Sequence, residues 1–271
     1  MACTSDSHEY DRLVKENPKS TKILAEGDSW FAYPRRYFAF GSASNIVDQL
    51  GKKKSYVIYS CASNGDEAVT MMSGEQKLSL MKRIAANPYD IMLFSGGGND
   101  IVGRYDFDFF VKEKKPGMKV LDCVQEDRVA RKLSQILAAY EELIERTMEF
   151  AENKNMMIIT HTYDIAIPSD KGYLLFDIFP IGESWMYPLL LKRNIVAPAD
   201  QQEIVREILT RFKTMLLGVQ VKYPGQIIVV DTQNTLKPNH WRNEIHPTPQ
   251  GFKIVSDLIA AKIDEVVRTK R

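Results

Sequence analysis

Four widely separated positions in this chain carry groups suited to acyl transfer. Ser29 lies in ILAEGDSW (23–30), a small hydroxyl just past a glycine break. Gly65 ends SCASNG (60–65), Asn99 lies in SGGGND (95–100), and His246 lies in HWRNEIHPTPQGF (240–252). Acyl transfer needs a nucleophile, a base to take its proton, and donors for the oxyanion that forms. Ser29 offers the hydroxyl and His246 the imidazole. The backbone N–H groups of Ser29 and Gly65 and the carboxamide of Asn99 are candidate donors. Glycine suits such a turn, because backbone there must approach substrate closely and can take positive φ. Each residue alone reads as ordinary turn or cap chemistry. Their shared position in the fold is what makes them a set.

Each of the four follows one of five apolar runs. The runs are KILAEG (22–27), SYVIYSC (55–61), YDIMLFSG (89–96), NMMIITH (155–161) and QIIVVDT (226–232). They are continuous rather than alternating, as in strands covered on both faces. Helical periodicity fills the gaps. Over 126–152, Val129, Leu133, Ile136, Leu137, Tyr140, Leu143 and Ile144 form one stripe. A second helix is expected over roughly 199–222 and a last one over 249–269, with Thr248 and Pro249 as its N-cap and first residue. This alternation predicts an α/β fold: a parallel sheet, helices on both faces and right-handed crossovers. Ligands of open parallel sheets sit beyond the carboxyl ends of the strands. Ser29, Gly65 and Asn99 all fall on that edge, and His246 lies just ahead of the last helix. Residues 1–20 read as a polar tail or a first short helix, and 21–271 as a single domain. The apolar but poorly patterned stretch 162–198 reads as a partly helical insertion over one end of the sheet.

The composition is 44% hydrophobic and 26% charged, with a net charge of +1. Nucleic acid and anionic membranes therefore have no electrostatic case as partners. The opening MACTSDSHEYDR has no apolar core of a secretory signal, and no apolar run is long enough to span a bilayer. Cys3, Cys61 and Cys123 are odd in number and widely spaced, which suggests no disulfide framework and a cytoplasmic location. Asp28, Asp100, His161 and His246 all sit at strand ends, but they share no HxxxH, DxD or CxxC spacing. No metal or cofactor is expected. SGGGND also lacks the glycine pattern of a dinucleotide site. Asp28 and Asp100 read as acceptors for loop N–H groups, His161 as a pocket wall or a satisfied hydrogen-bonder, and Cys61 as a buried thiol. The run WFAYPRRYF (30–38) either packs the loop or walls a substrate pocket, with Arg35 and Arg36 solvated or facing an anionic substrate. The expected partner is a small-molecule ester; nothing sets the oligomeric state.

The ordered set of GDS, a glycine after the second strand, GGND and a late His-Pro resembles the four blocks of the SGNH, or GDSL-type, hydrolases. The resemblance spans about residues 21–270. It implies a flavodoxin-like three-layer α/β/α sandwich with five parallel strands in the order 2-1-3-4-5. It also implies a serine ester hydrolase acting through an acyl-enzyme on a small ester, an acyl lipid or an O-acetylated substrate. Ser29 would be the nucleophile and His246 the base, with Ser29, Gly65 and Asn99 forming the oxyanion hole. One block departs. The family's last block reads Asp-x-x-His, whereas here the residues are Asn243-Glu244-Ile245-His246. Three arrangements are open: Asn243 orients His246 through its carbonyl oxygen, Glu244 swings in instead, or a dyad operates with a backbone carbonyl behind the histidine. His240 is a further nearby imidazole. Replacing Asp by Asn in a trypsin-like triad costs about 10⁴ in kcat, because the wrong tautomer is favoured. A degenerate triad would leave the alternative of a non-catalytic ligand-binding module on the same fold.

Overall fold

The computed structural model describes residues 2–34, 44–175 and 179–270. In chain order these form β1 (Cys3–Thr4), α1 (Ser7–Glu16), β2 (Thr21–Gly27), α2 (Ser29–Ala32), α3 (Ile46–Leu50), β3 (Tyr56–Ser60), α4 (Ala68–Met71), α5 (Gly74–Ala86), β4 (Ile91–Ser95), α6 (Gly98–Val102) and α7 (Arg104–Phe110). They continue with α8 (Glu126–Met148), β5 (Met157–His161), β6 (Tyr173–Leu175), β7 (Phe179–Gly182), α9 (Tyr187–Lys192), α10 (Pro198–Lys222), β8 (Ile227–Val230) and α11 (Pro249–Lys270).

The central sheet runs β1-β3-β2-β4-β5-β8, with every pair parallel. The five strands after β1 in this order follow the 2-1-3-4-5 arrangement. The sheet has six strands rather than five, because Cys3 and Thr4 pair with Ile58 and Tyr59 along the edge of β3. Two residues are too few to show a period, so this strand leaves no sequence pattern. It is held in place by α1, which Asp6 caps by accepting the Glu9 N–H at 2.8 Å. Tyr10 of α1 is buried and stacks on Tyr59 at 5.3 Å.

Continuous apolar strands need cover on both faces, and the helices supply it. Ile23, Leu24, Val57, Ile58, Ile91, Met92 and Leu93 are all fully buried. Helix α8 turns Val129, Ile136, Tyr140, Leu143 and Ile144 inward, while Leu133 and Leu137 stay half-buried at the margin of the stripe. It packs with α10, α4 and α5, whereas α11 packs with α3. The stretch 162–198 contains helix α9, but also an antiparallel β6–β7 hairpin that its patterning does not suggest. No helix among the described residues is long and apolar enough to cross a membrane.

Candidate active site

Strand β2 delivers Ser29. A Cβ on Gly27 would lie 2.7 Å from both the Cβ and the carbonyl oxygen of Ser95, so only glycine lets β2 and β4 close up at this end. The chain then turns at once into α2. Asp28 caps that turn, its Oδ1 accepting the Trp30 N–H at 2.9 Å. Ser29 is the first residue of the turn, a position whose N–H has no partner within its own helix.

Asp28 is almost wholly buried and takes two more donors. The Ser95 hydroxyl donates to Oδ1 at 3.0 Å, and the Tyr163 hydroxyl to Oδ2 at 2.5 Å. Burial pushes its carboxyl up to about 7, against the opposing pull of these donors. His161 closes the cluster. Its Nδ1 accepts the Tyr163 N–H at 3.2 Å, so the ring proton sits on Nε2 and is donated to Ser95 Oγ at 2.9 Å. Burial drives the His161 pKa down to about 3, which keeps the ring neutral. The ring stacks on Trp30 at 5.3 Å. Asp28 and His161 therefore brace the turn that carries Ser29. Among the described residues, no group of three or more His, Cys, Asp and Glu side chains is placed to hold a metal ion.

His246 arrives on a tight loop ahead of α11. Trp241 and Pro247 form an antiparallel bridge across it, and the Arg242 N–H donates to the His246 carbonyl at 2.9 Å. This loop brings His246 Nε2 to 2.8 Å from Ser29 Oγ. On the other side of the ring, Nδ1 lies 3.2 Å from Asn243 Oδ1. The same oxygen accepts the backbone N–H groups of His246 at 2.8 Å and Ile245 at 3.1 Å. Two fixed backbone donors can face only the amide oxygen, never the NH₂, so they determine which way the carboxamide points. Nδ1 therefore carries the ring proton, and Nε2 is left as the acceptor for the Ser29 hydroxyl. The Trp30 indole N–H donates to the Ile245 carbonyl at 3.1 Å and so ties the serine turn to the histidine loop. Burial, reinforced by the Arg242 charge, lowers the His246 pKa to about 3.

Glu244 is turned elsewhere. Its carboxylate accepts the N–H groups of Trp185, Met186 (2.9 Å) and Tyr187 (3.2 Å), at the start of α9. His240 closes its own short turn, with Nδ1 accepting the Lys237 N–H at 3.1 Å. The carboxamide of Asn243, rather than either of these, is the group on Nδ1.

Gly65 sits in the loop after β3 with φ +87°, a conformation that side chains resist, and nothing lies within 4 Å of where its Cβ would stand. The loop is drawn to the serine turn by the Ser63 N–H, which donates to the Gly27 carbonyl at 2.9 Å. Asn99, on α6, donates one carboxamide N–H to the Asp66 carbonyl at 2.9 Å, so its nitrogen side faces the Gly65 loop. The neighbouring Asp100 takes the N–H groups of Ala68 and Val69 at the start of α4. Ser29 and Asn99 line one recess, together with Tyr163 and Leu209. Those two carry no motif. The signal for Tyr163 was its place just past a strand end, whereas Leu209 looks like any other core residue of α10. Cys61 is half-buried, its thiol raised to about 12 chiefly by burial. Of the run 30–38, Trp30, Phe31 and Tyr33 are buried, whereas Arg35, Arg36 and the residues up to Phe38 lie outside the described residues.

The model of the GDSL-like Lipase/Acylhydrolase family matches residues 23–259. Among solved structures, the lipase Lip_vut3 from a goat rumen metagenome is similar at TM-score 0.56 and 15% identity, over 89% of this chain and 97% of that one. A candidate SGNH hydrolase from Slackia heliotrinireducens is similar at TM-score 0.52 and 10% identity, over 89% and 98%. A Streptococcus pneumonia protein described as a platelet activating factor is similar at TM-score 0.51 and 14% identity, over 94% and 90%. At these identities the three show a shared fold. No curated protein sequence matches the chain. The family match runs from the strand that delivers Ser29, through the His246 loop, into the last helix, and the chain belongs to the family of GDSL-like lipases and acylhydrolases.

Proposed function

We propose that this protein is a serine ester hydrolase working through an acyl-enzyme, with a carboxamide where the family has a carboxylate. The observation that carries the reading is the continuous path from Ser29 Oγ through both nitrogens of His246 to Asn243 Oδ1, at 2.8 and 3.2 Å. In this reading Ser29 attacks the ester carbonyl as its proton passes to Nε2 of His246. The imidazolium that forms is held by Asn243 Oδ1 through Nδ1–H. The oxyanion is met by the N–H groups of Ser29 and Gly65 and the free N–H of the Asn99 carboxamide. His246 then protonates the leaving alcohol, and water clears the acyl group by the same steps in reverse. The substrate is a small ester, an acyl lipid or an O-acetylated molecule. A site kept only for binding has no use for a proton path of this kind, so the ligand-binding alternative is not favoured.

The test is Ser29→Ala assayed on p-nitrophenyl acetate, alongside labelling of both proteins by a fluorophosphonate. We expect kcat to fall by about 10³-fold or more and labelling to vanish, as when any member of such a unit is removed. Undiminished turnover in the variant would sink the mechanism.

A further inference from the structure

The recess shared by Ser29 and Asn99 has apolar walls, formed by Trp30, Val102, Tyr163, Ala166, Leu209 and Ile245. Two carboxylates also border it, and both are occupied. Asp28 is held by its three donors. Asp164 accepts the N–H groups of Ile165, Asn234 and Leu236, each at 2.6 Å. The recess therefore presents hydrocarbon rather than charge to whatever enters beside the serine.

An ester bound at Ser29 has its carbonyl carbon at Oγ, its carbonyl oxygen toward the Asn99 and Gly65 donors, and its alkoxy oxygen toward His246. One substituent remains, the acyl chain, and among the described residues one apolar space adjoins both Ser29 and Asn99. We propose that this recess is the acyl pocket and that it restricts the enzyme to acetyl and similarly short acyl esters. The inference rests on the reading of Ser29 as nucleophile. Size is what limits the chain. The recess has room at its centre for about one water-sized group, which is methyl scale. Its walls are also pinned. Tyr163 is tied to Asp28 at 2.5 Å, Trp30 to the Ile245 carbonyl at 3.1 Å, and Leu209 is buried on the long helix α10. A longer chain would have to displace buried side chains that are tied in place.

The experiment is kcat/KM across p-nitrophenyl acetate, butyrate, hexanoate and octanoate, which holds the alcohol constant. A pocket of this size discriminates by about tenfold or more per added methylene. We expect a steep fall from acetate to butyrate and little turnover beyond. Leu209→Ala should deepen the recess and raise butyrate and hexanoate relative to acetate by about tenfold or more. Val102→Ala is the second variant, read the same way if Leu209→Ala does not fold. A Ser29-dependent profile that is flat or rises toward octanoate overturns the pocket assignment and leaves the nucleophile reading standing. So does a steep profile that neither variant shifts. If no ester of any length is turned over in a Ser29-dependent way, the nucleophile reading fails and the pocket with it.

Discussion

At His246, a neutral oxygen stands where the family places a charged one. An Asn in that position ordinarily endangers the tautomer, because its NH₂ can face Nδ1 and push the ring proton onto the nitrogen that must accept. Here the His246 and Ile245 backbone N–H groups hold the oxygen inward, so the tautomer survives while the charge does not. The lost charge shows in basicity: burial leaves His246 neutral down to about 3. We expect kcat/KM for p-nitrophenyl acetate to stay level through pH 6.5 as pH falls, with no limb at an ordinary histidine pKa. Asn243→Asp puts a carboxylate beside the ring, favours the imidazolium and should move the acid limb upward by about one to three pH units. Asn243→Ala strands Nδ1–H and two backbone donors together, and should cost about 10²–10⁴ in kcat. A variant with wild-type kcat would show that Asn243 does not orient the ring. The motifs named Ser29, Gly65, Asn99 and His246, but not which neighbour serves the histidine. Asn243 and Glu244 are adjacent, and one peptide of loop geometry separates their directions.

Among the elements, the loop from Trp241 to Pro247 does two jobs with neighbouring residues. Asn243 turns toward His246, and Glu244 caps α9 through three backbone donors. Glu244→Gln removes the charge from that cap and should lower stability by about 1–2 kcal/mol in urea denaturation. Its kcat should fall far less than that of Asn243→Ala. A kcat loss as large as that of Asn243→Ala would mean that Glu244 supports the histidine after all. The long helices and the five longer strands of the sheet were readable because each repeats its burial pattern over several residues. Strand β1 and the β6–β7 hairpin were not, because two to four residues carry no period, and β1 in addition pairs with a partner more than fifty positions away.

Across the whole molecule, the buried titratable groups set opposing pH trends. His161 and His246 are neutral in the fold down to about 3, whereas the unfolded chain protonates them near 6.5, so stability is lost as pH falls below 6.5. Burial acts in the other direction on Glu26 and Asp28, raising them to about 8 and about 7. The fold keeps protons there that the unfolded chain has released, so their contribution is lost as pH rises from about 4 toward 8. Above 6.5 only the carboxyl trend remains among these four. The Tm is expected to fall between pH 6.5 and 8, with Glu26→Gln flattening that fall. A Tm that rises over this range, or an unchanged slope in Glu26→Gln, would contradict it.

The layered α/β architecture, the edge on which the recess forms and four candidate groups for it were legible along the chain. Strand and helix periods, and the glycines that follow strands, are local properties of the chain. It took the folded chain to turn Asn243 rather than Glu244 toward His246, to set Asp28 and His161 behind the serine turn, and to close Leu209 and Val102 in beside Ser29. Glu244 is drawn away by backbone donors at the start of α9 more than fifty positions upstream, and the braces and walls of the serine turn come from residues tens to hundreds of positions away, so no local pattern encodes their direction.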